Sequence, residues 1–273
     1  MRVVGAPVAL FDMHLHGDWF ADPAACSASF FAAGAGALGC TVEPAGYEGL
    51  AAALEGAPVG PGPLGLRPAL GLHPWYLGEG DAVEERVDRF CELAGGCRLV
   101  GEVGLDCGRA HRDTFGAQLA AFERACAAVA PGSLISIHSV ASAGAVLDVL
   151  ARTGRLDDCA CVFHWFSGTS DELARARSAG CFFSVGPFML RSRRGREYAR
   201  QVPVERLLWE TDLPERPGIP WDADAEFAAL GETLDCVATL KGVEACELAA
   251  AVAATSRSLL RARPSCSDFA LGL

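Results

Sequence analysis

The chain is 273 residues long, 51% hydrophobic, 21% charged and 8% aromatic, with a formal charge of −11 at pH 7. That length supports a large core, and no stretch approaches the roughly 20 uninterrupted apolar residues of a membrane helix, so no membrane span is expected. The acidic total argues against a surface coated in basic charge for sequence-independent nucleic-acid binding.

In chain order, short apolar runs that end in polar, Gly or Pro residues alternate with Ala/Leu-rich stretches of helical spacing. Strands are predicted at 8–12, 36–42, 66–72, 98–105, 134–138, 159–163, 181–185 and 206–210. Helices are predicted over 22–34, 46–56, 81–95, 113–130, 141–153, 170–179, 194–201, 222–240 and 243–260. Runs such as Leu134-Ile135-Ser136-Ile137 suit strands buried on both faces, as parallel strands under crossover helices are. Eight strand-helix repeats predict an α/β fold, a closed (β/α)8 TIM barrel. The Pro/Gly-rich segment from Pro58 to Pro63 reads as a loop, no internal repeat or linker occurs, and residues 1–273 are expected to form one domain.

The N-terminal residues reach Asp12 too soon for a signal-peptide core, so the chain is expected to be cytoplasmic. The 12 cysteines contain no Cys-x-x-Cys pair. Cys91, Cys126, Cys181 and Cys246 fall at apolar positions of predicted elements and are expected as reduced core residues. Lys241 is the one lysine among 23 basic residues, so Schiff-base chemistry, a phosphate-loop lysine and a carboxylated bridging lysine would all have to use it.

The six histidines are the informative residues. His14 and His16 follow predicted strand one, His73 follows strand three, His138 ends strand five and His164 follows strand six. The C-terminal ends of barrel strands converge on one face, so five histidines point at one site. His111, in a loop-to-helix segment, is expected to be a solvated helix-start residue. In Asp12-Met13-His14-Leu15-His16 the alternation projects both imidazoles to one side of an extended segment, as two ligands of one ion need. Val100-Gly101-Glu102-Val103-Gly104-Leu105-Asp106 puts a carboxylate inside an apolar strand, where it requires a cationic partner. Glu210 and Asp212 repeat that pattern after strand eight. So many N and O donors exceed what one tetrahedral ion uses and favour two divalent ions, Zn, Mn or Mg, bridged by a carboxylate. Asp106 and Glu210 are read as carboxylates that orient ligand imidazoles. His73 is read as a substrate contact, a residue behind a ligand, or a turn residue.

In this order the motifs resemble the TatD family of metal-dependent deoxyribonucleases. They are Asp12-Met13-His14-Leu15-His16, Gly71-Leu72-His73-Pro74, Gly101-Glu102-Val103-Gly104-Leu105-Asp106, Ile137-His138, Phe163-His164-Trp165-Phe166-Ser167-Gly168 and Glu210-Thr211-Asp212-Leu213-Pro214. The resemblance implies that His14, His16 and Asp212 hold one divalent ion, that Glu102 bridges to a second, and that His138 and His164 complete the second site. It also implies hydrolysis of DNA phosphodiesters by a metal-activated water, with Glu102 and Asp212 as the catalytic carboxylates and Asp212 accepting the water's proton.

Two positions depart from the family pattern. His138-Ser139-Val140-Ala141 lacks the family's usual arginine and aspartate after the strand-five histidine, and Ala254-Thr255-Ser256-Arg257 lacks its usual asparagine in the last helix. The cluster Arg191, Arg193, Arg194, Arg196 is expected on the loop after strand seven, on the metal-bearing face, and to take over the missing phosphate contact, with Arg191, Arg193 and Arg194 gripping DNA as single strands or ends. A two-metal hydrolase of a non-nucleic-acid ester, lactone or amide is the alternative, and a non-catalytic barrel acting as a subunit is a third reading, disfavoured by six intact ligands.

Overall fold

In the computed structural model, which describes residues 9–57, 63–78 and 80–261, the eight strands are β1 (Asp12–Leu15), β2 (Gly36–Cys40), β3 (Gly65–Leu72), β4 (Leu99–Asp106), β5 (Leu134–Val140), β6 (Ala160–His164), β7 (Phe182–Val185) and β8 (Leu207–Trp209). They lie in sequence order and every neighbouring pair is parallel. Two main-chain bonds fasten the first strand to the segment after the last: Asp212 N donates to the His14 carbonyl and His16 N to the Leu213 carbonyl. The barrel is thereby nearly closed, as the alternating pattern predicts. Its strands are buried along almost their whole length, β1, β2 and β4 at every position, because the helices cover one face and packed side chains fill the other.

The helices are α1 (Pro23–Ala32), α2 (Pro44–Ala53), α3 (Asp81–Ala94), α4 (Phe115–Ala128), α5 (Ala143–Arg152), α6 (Arg155–Asp158), α7 (Ser170–Ser178), α8 (Pro187–Leu190), α9 (Arg193–Gln201), α10 (Ala223–Lys241) and α11 (Ala245–Leu260). Local chemistry starts several of them. Asp22 caps α1 ahead of Pro23, Thr169 and Glu172 close a capping box on α7, and Asp222 caps α10. None of the helices among the described residues is long and apolar enough to cross a membrane.

The structure corrects four expectations. The first strand begins at Asp12 rather than residue 8, which lies outside the described residues, so His14 sits within β1 and His16 one residue beyond it. Polar Asp12 and His14 do not end the strand, because each is hydrogen-bonded inside the barrel. The arginine cluster is not a loop: Arg191 ends α8 and Arg193, Arg194 and Arg196 belong to α9. Cys126 and Cys181 are buried, but Cys91 is half-buried and Cys246 exposed, in the first turn of α11 ahead of the buried run that starts at Leu248. Most of the predicted 58–63 loop lies outside the described residues.

Candidate metal centre

Five of the six histidines meet at the C-terminal mouth of the barrel around Glu102, which β4 carries almost fully buried. Gly104 makes that approach possible. It takes φ +150°, and a Cβ there would stand 2.0 Å from the His138 carbonyl, so only glycine lets β4 and β5 run close enough to set Glu102 beside His138.

One oxygen of Glu102 and Asp212 together face the β1 histidines. His14 Nε2 lies 3.4 Å from Glu102 Oε2 and 3.7 Å from Asp212 Oδ1, while His16 Nε2 lies 3.7 Å and 3.4 Å from the same atoms. Ligand bonds of about 2.1 Å around a tetrahedral ion put neighbouring donors about 3.4 Å apart, so this quartet has the spacing of an ion cage rather than of hydrogen bonds. His14 Nε2 is buried and has no hydrogen-bond partner. Its other nitrogen, Nδ1, is 2.7 Å from Ser136 Oγ, which orients the ring. Burial, with repulsion from His164, lowers the His14 pKa to about 4, so the imidazole is neutral and its free lone pair is available to a cation. The residues present therefore fit a divalent ion here.

The other oxygen, Glu102 Oε1, is shared by His138 Nδ1 at 2.6 Å, His164 Nε2 at 2.8 Å and His73 Nε2 at 3.4 Å. The first two separations are those of hydrogen bonds, so this half of the site is knit together by protons. His138 also contacts Asp106 Oδ2 through Nε2 at 3.2 Å. Flanked by two carboxylates, it is pushed up to about 9 despite the desolvation that opposes its charge. Burial alone would raise Glu102, but His73, His164, His14 and His138 together hold it well below the usual carboxylate range.

Asp106 and Glu210 occupy the positions expected of orienting carboxylates. Asp106 holds His138 and accepts from Trp75 Nε1 at 2.6 Å and Gly108 N at 2.7 Å. Glu210 accepts from Trp165 N at 3.0 Å and from Ser184 Oγ, and its Oε2 stands 3.7 Å from His164 Nδ1. The open reading of His73 narrows: its Nδ1 accepts from Trp75 N at 3.2 Å, which leaves the proton of the neutral ring on Nε2, directed at Glu102. His73 is thus a turn cap on one side and a donor on the other.

The cluster opens into a cavity of about 660 Å³. Its walls include Trp19, Trp75, Tyr76, Trp165 and Phe188, and Arg109 is the one arginine or lysine lining it among the described residues. Three expectations change here. Arg193 and Arg194 line a different groove with Arg196 and Leu240, because the first turn of α9 carries them away from the barrel mouth. Arg191 lies with its guanidinium 4.5 Å over Phe188, a wall residue. His111 does precede a helical turn, Arg112–Thr114, but it is half-buried rather than simply solvated: it stacks on Trp75 at 5.0 Å and lines the cavity. Val140 lies on the cavity wall, and its strand partner is Asp106, three residues before Arg109. Arg109 thus lines the same cavity as Val140. The run Asp106-Cys107-Gly108-Arg109-Ala110-His111-Arg112 was the available signal, since it puts cationic side chains directly after a carboxylate strand end.

A family model described as TatD related DNase matches residues 11–261 of this chain. A protein of Erwinia tasmaniensis named 3′-5′ ssDNA/RNA exonuclease TatD is 31% identical over 200 residues, which is 69% of this chain and 76% of that protein. A protein of the same name from Edwardsiella piscicida is 37% identical over 119 residues, 42% of this chain and 45% of that one. The solved structure of the TatD homolog YJJV from Escherichia coli superposes with a TM-score of 0.68 at 22% identity, covering 92% of this chain and 98% of that one. A TatD family hydrolase from Entamoeba histolytica superposes with a TM-score of 0.72 at 17% identity, covering 94% and 98%.

Proposed function

We propose that this chain, which belongs to the TatD-related DNase family, is a two-metal hydrolase that cleaves phosphodiester bonds of DNA at the ends of single strands. The observation that carries the reading is the cage of His14, His16, Glu102 and Asp212, with donors spaced for an ion and a buried His14 Nε2 that has no hydrogen-bond partner. His14, His16 and Asp212 would hold one ion, His138 and His164 the other, and Glu102, with one oxygen toward each group, would bridge them. When bound, Zn, Mn or Mg ions lower the pKa of water and offset charge on phosphate oxygens.

The chain's own residues supply the rest. Asp212 has a side chain 18% exposed against 2% for Glu102, so it is the ligand carboxylate that faces incoming water and substrate. Burial would raise its pKa, but the neighbouring His16, 3.4 Å away, and the charges of His164 and His14 lower it, so it is ionised at neutral pH and can accept a proton. The Arg109 guanidinium would bind a phosphate oxygen from the cavity wall, while His73 keeps its Nε2 proton toward Glu102. The curated relative's name, an exonuclease of single-stranded DNA and RNA, supports the substrate class, and the aromatic walls of the cavity suit an unpaired end.

The test is hydrolysis of end-labelled single-stranded and duplex DNA by protein stripped with a chelator and then titrated with Mn, Zn or Mg. Hydrolysis absent from the stripped protein, restored by metal and faster on single strands is the expected result. No hydrolysis of DNA or RNA at any metal content, with turnover of a simple ester or lactone, would replace this reading with that of a two-metal hydrolase of other substrates.

A further inference from the structure

Six large hydrophobic side chains are exposed among the described residues, and four of them, Trp75, Tyr76, Val140 and Trp165, line the metal cavity. So much apolar surface at one mouth marks a binding surface rather than chance exposure. The two tryptophans are also held in place. Trp75, 52% exposed, is stacked on His111 with ring planes 10° apart and is tethered through Nε1 to Asp106. Trp165, 39% exposed, is stacked on Phe188 at 5.3 Å and 17°, and its main-chain N–H is held by Glu210. Arg191 lies over the same Phe188. Trp75 follows β3 and Trp165 follows β6, three strands apart around an eight-stranded ring and so on well-separated sides of the histidine cluster around Glu102.

We propose that Trp75 and Trp165 are two nucleobase platforms, each stacking one unpaired base of the substrate on either side of the scissile phosphate. The proposal rests on the nuclease reading and deepens it, because two rigid indoles set into separate walls accept bases only when those bases are out of a duplex. Indoles with a backing ring lose little rotational freedom on binding, and base–aromatic stacking tolerates any sequence. It also accounts for a cavity with one arginine. The bases, not the phosphates alone, are gripped.

The experiment couples substrate and protein. Single-stranded oligonucleotides carrying one abasic site at successive positions from the cleaved end are hydrolysed by metal-loaded wild type, Trp165→Ala, Trp165→Phe, Trp75→Ala and Trp75→Phe. For wild type, an abasic site at each stacked position should lower kcat/KM about tenfold. In each Ala variant the penalty at its own position should fall to near unity and remain at the other, while Phe variants keep part of it. A variant that merely disturbed Asp106 or His164 would slow intact and abasic strands equally and leave the ratio unchanged, which would overturn the proposal. Rapid hydrolysis of intact and abasic strands alike by wild type would overturn it and leave the nuclease reading standing. Hydrolysis of no oligonucleotide at all would overturn both.

Discussion

In the proposed mechanism Asp212 has two roles, metal ligand and proton acceptor, and its backbone sits in a region few non-glycine residues adopt. Its φ is +60°, a left-handed conformation that Asp tolerates better than most residues, and its N–H is committed to the His14 carbonyl while its carboxylate turns to the cavity. Asp212→Asn keeps the shape and one donor oxygen but removes the proton acceptor. It should lower kcat by 10²- to 10⁴-fold, the usual worth of a general base, with KM within about twofold, as steady-state kinetics on single-stranded DNA would show. Equal damage to KM and kcat would mean that the carboxylate only holds the site together. Arg109 allows a second test at this scale. On a non-cleavable strand, Arg109→Ala should weaken binding and reduce the slope of log K against log salt by about 0.7, one phosphate contact of single-stranded DNA, whereas Arg193→Ala with Arg194→Ala should leave the slope unchanged. The reverse result would return the phosphate grip to α9.

At the scale of elements, the barrel is closed by a buried acidic junction. Asp12 of β1 accepts from His14 N and from Thr211 Oγ1 at 2.6 Å, and Thr211 lies 3.3 Å from Glu226 of α10. Burial pushes Asp12 up to about 6, and burial with the neighbouring Asp12 raises Glu226 well above its usual range. An acid whose pKa is raised by folding gives its full stabilisation below its unfolded value and loses it as pH rises through the folded value. Wild type therefore loses stability from this junction as pH rises from about 4 past 6. Glu226→Gln cannot ionise and can still donate to Asp12. It should be about 1 to 3 kcal/mol more stable than wild type in urea unfolding of metal-free protein at pH 8, and nearly equal to it at pH 4. An unchanged difference at the two pH values would contradict raised carboxyl pKa values at this junction. This junction was illegible in the sequence: Asp12 reads as part of the His-x-His motif, and Glu226 as one acid among several at a helix start. Only the closure of the ring brings residues 12, 211 and 226 together.

For the whole molecule, legibility followed the distance over which each feature is determined. Eight alternations of buried strand and helix fix the barrel, and the barrel alone sends His14, His16, His73, His138 and His164 to one end, so five of six histidines were placeable from strand ends. What failed was set by loops and by lateral register. Arg109 and His111 reach the cavity because β4 pairs Asp106 with Val140, and the arginines of α9 leave it because α8 intervenes as a separate turn. The fold thus presents a largely aromatic mouth over a polar floor, on a chain whose net charge of −11 repels polyanions beyond it. Glu102 is the centre of that floor, with Oε2 toward an ion-sized cage and Oε1 toward a hydrogen-bonded one. Anomalous scattering from crystals loaded with Mn tests this most directly. Two peaks are expected, each roughly 2.0–2.2 Å from a different Glu102 oxygen, one beside His14, His16 and Asp212 and the other beside His138 and His164. A single ion, or peaks more than about 4 Å from both Glu102 oxygens, would contradict a carboxylate-bridged pair.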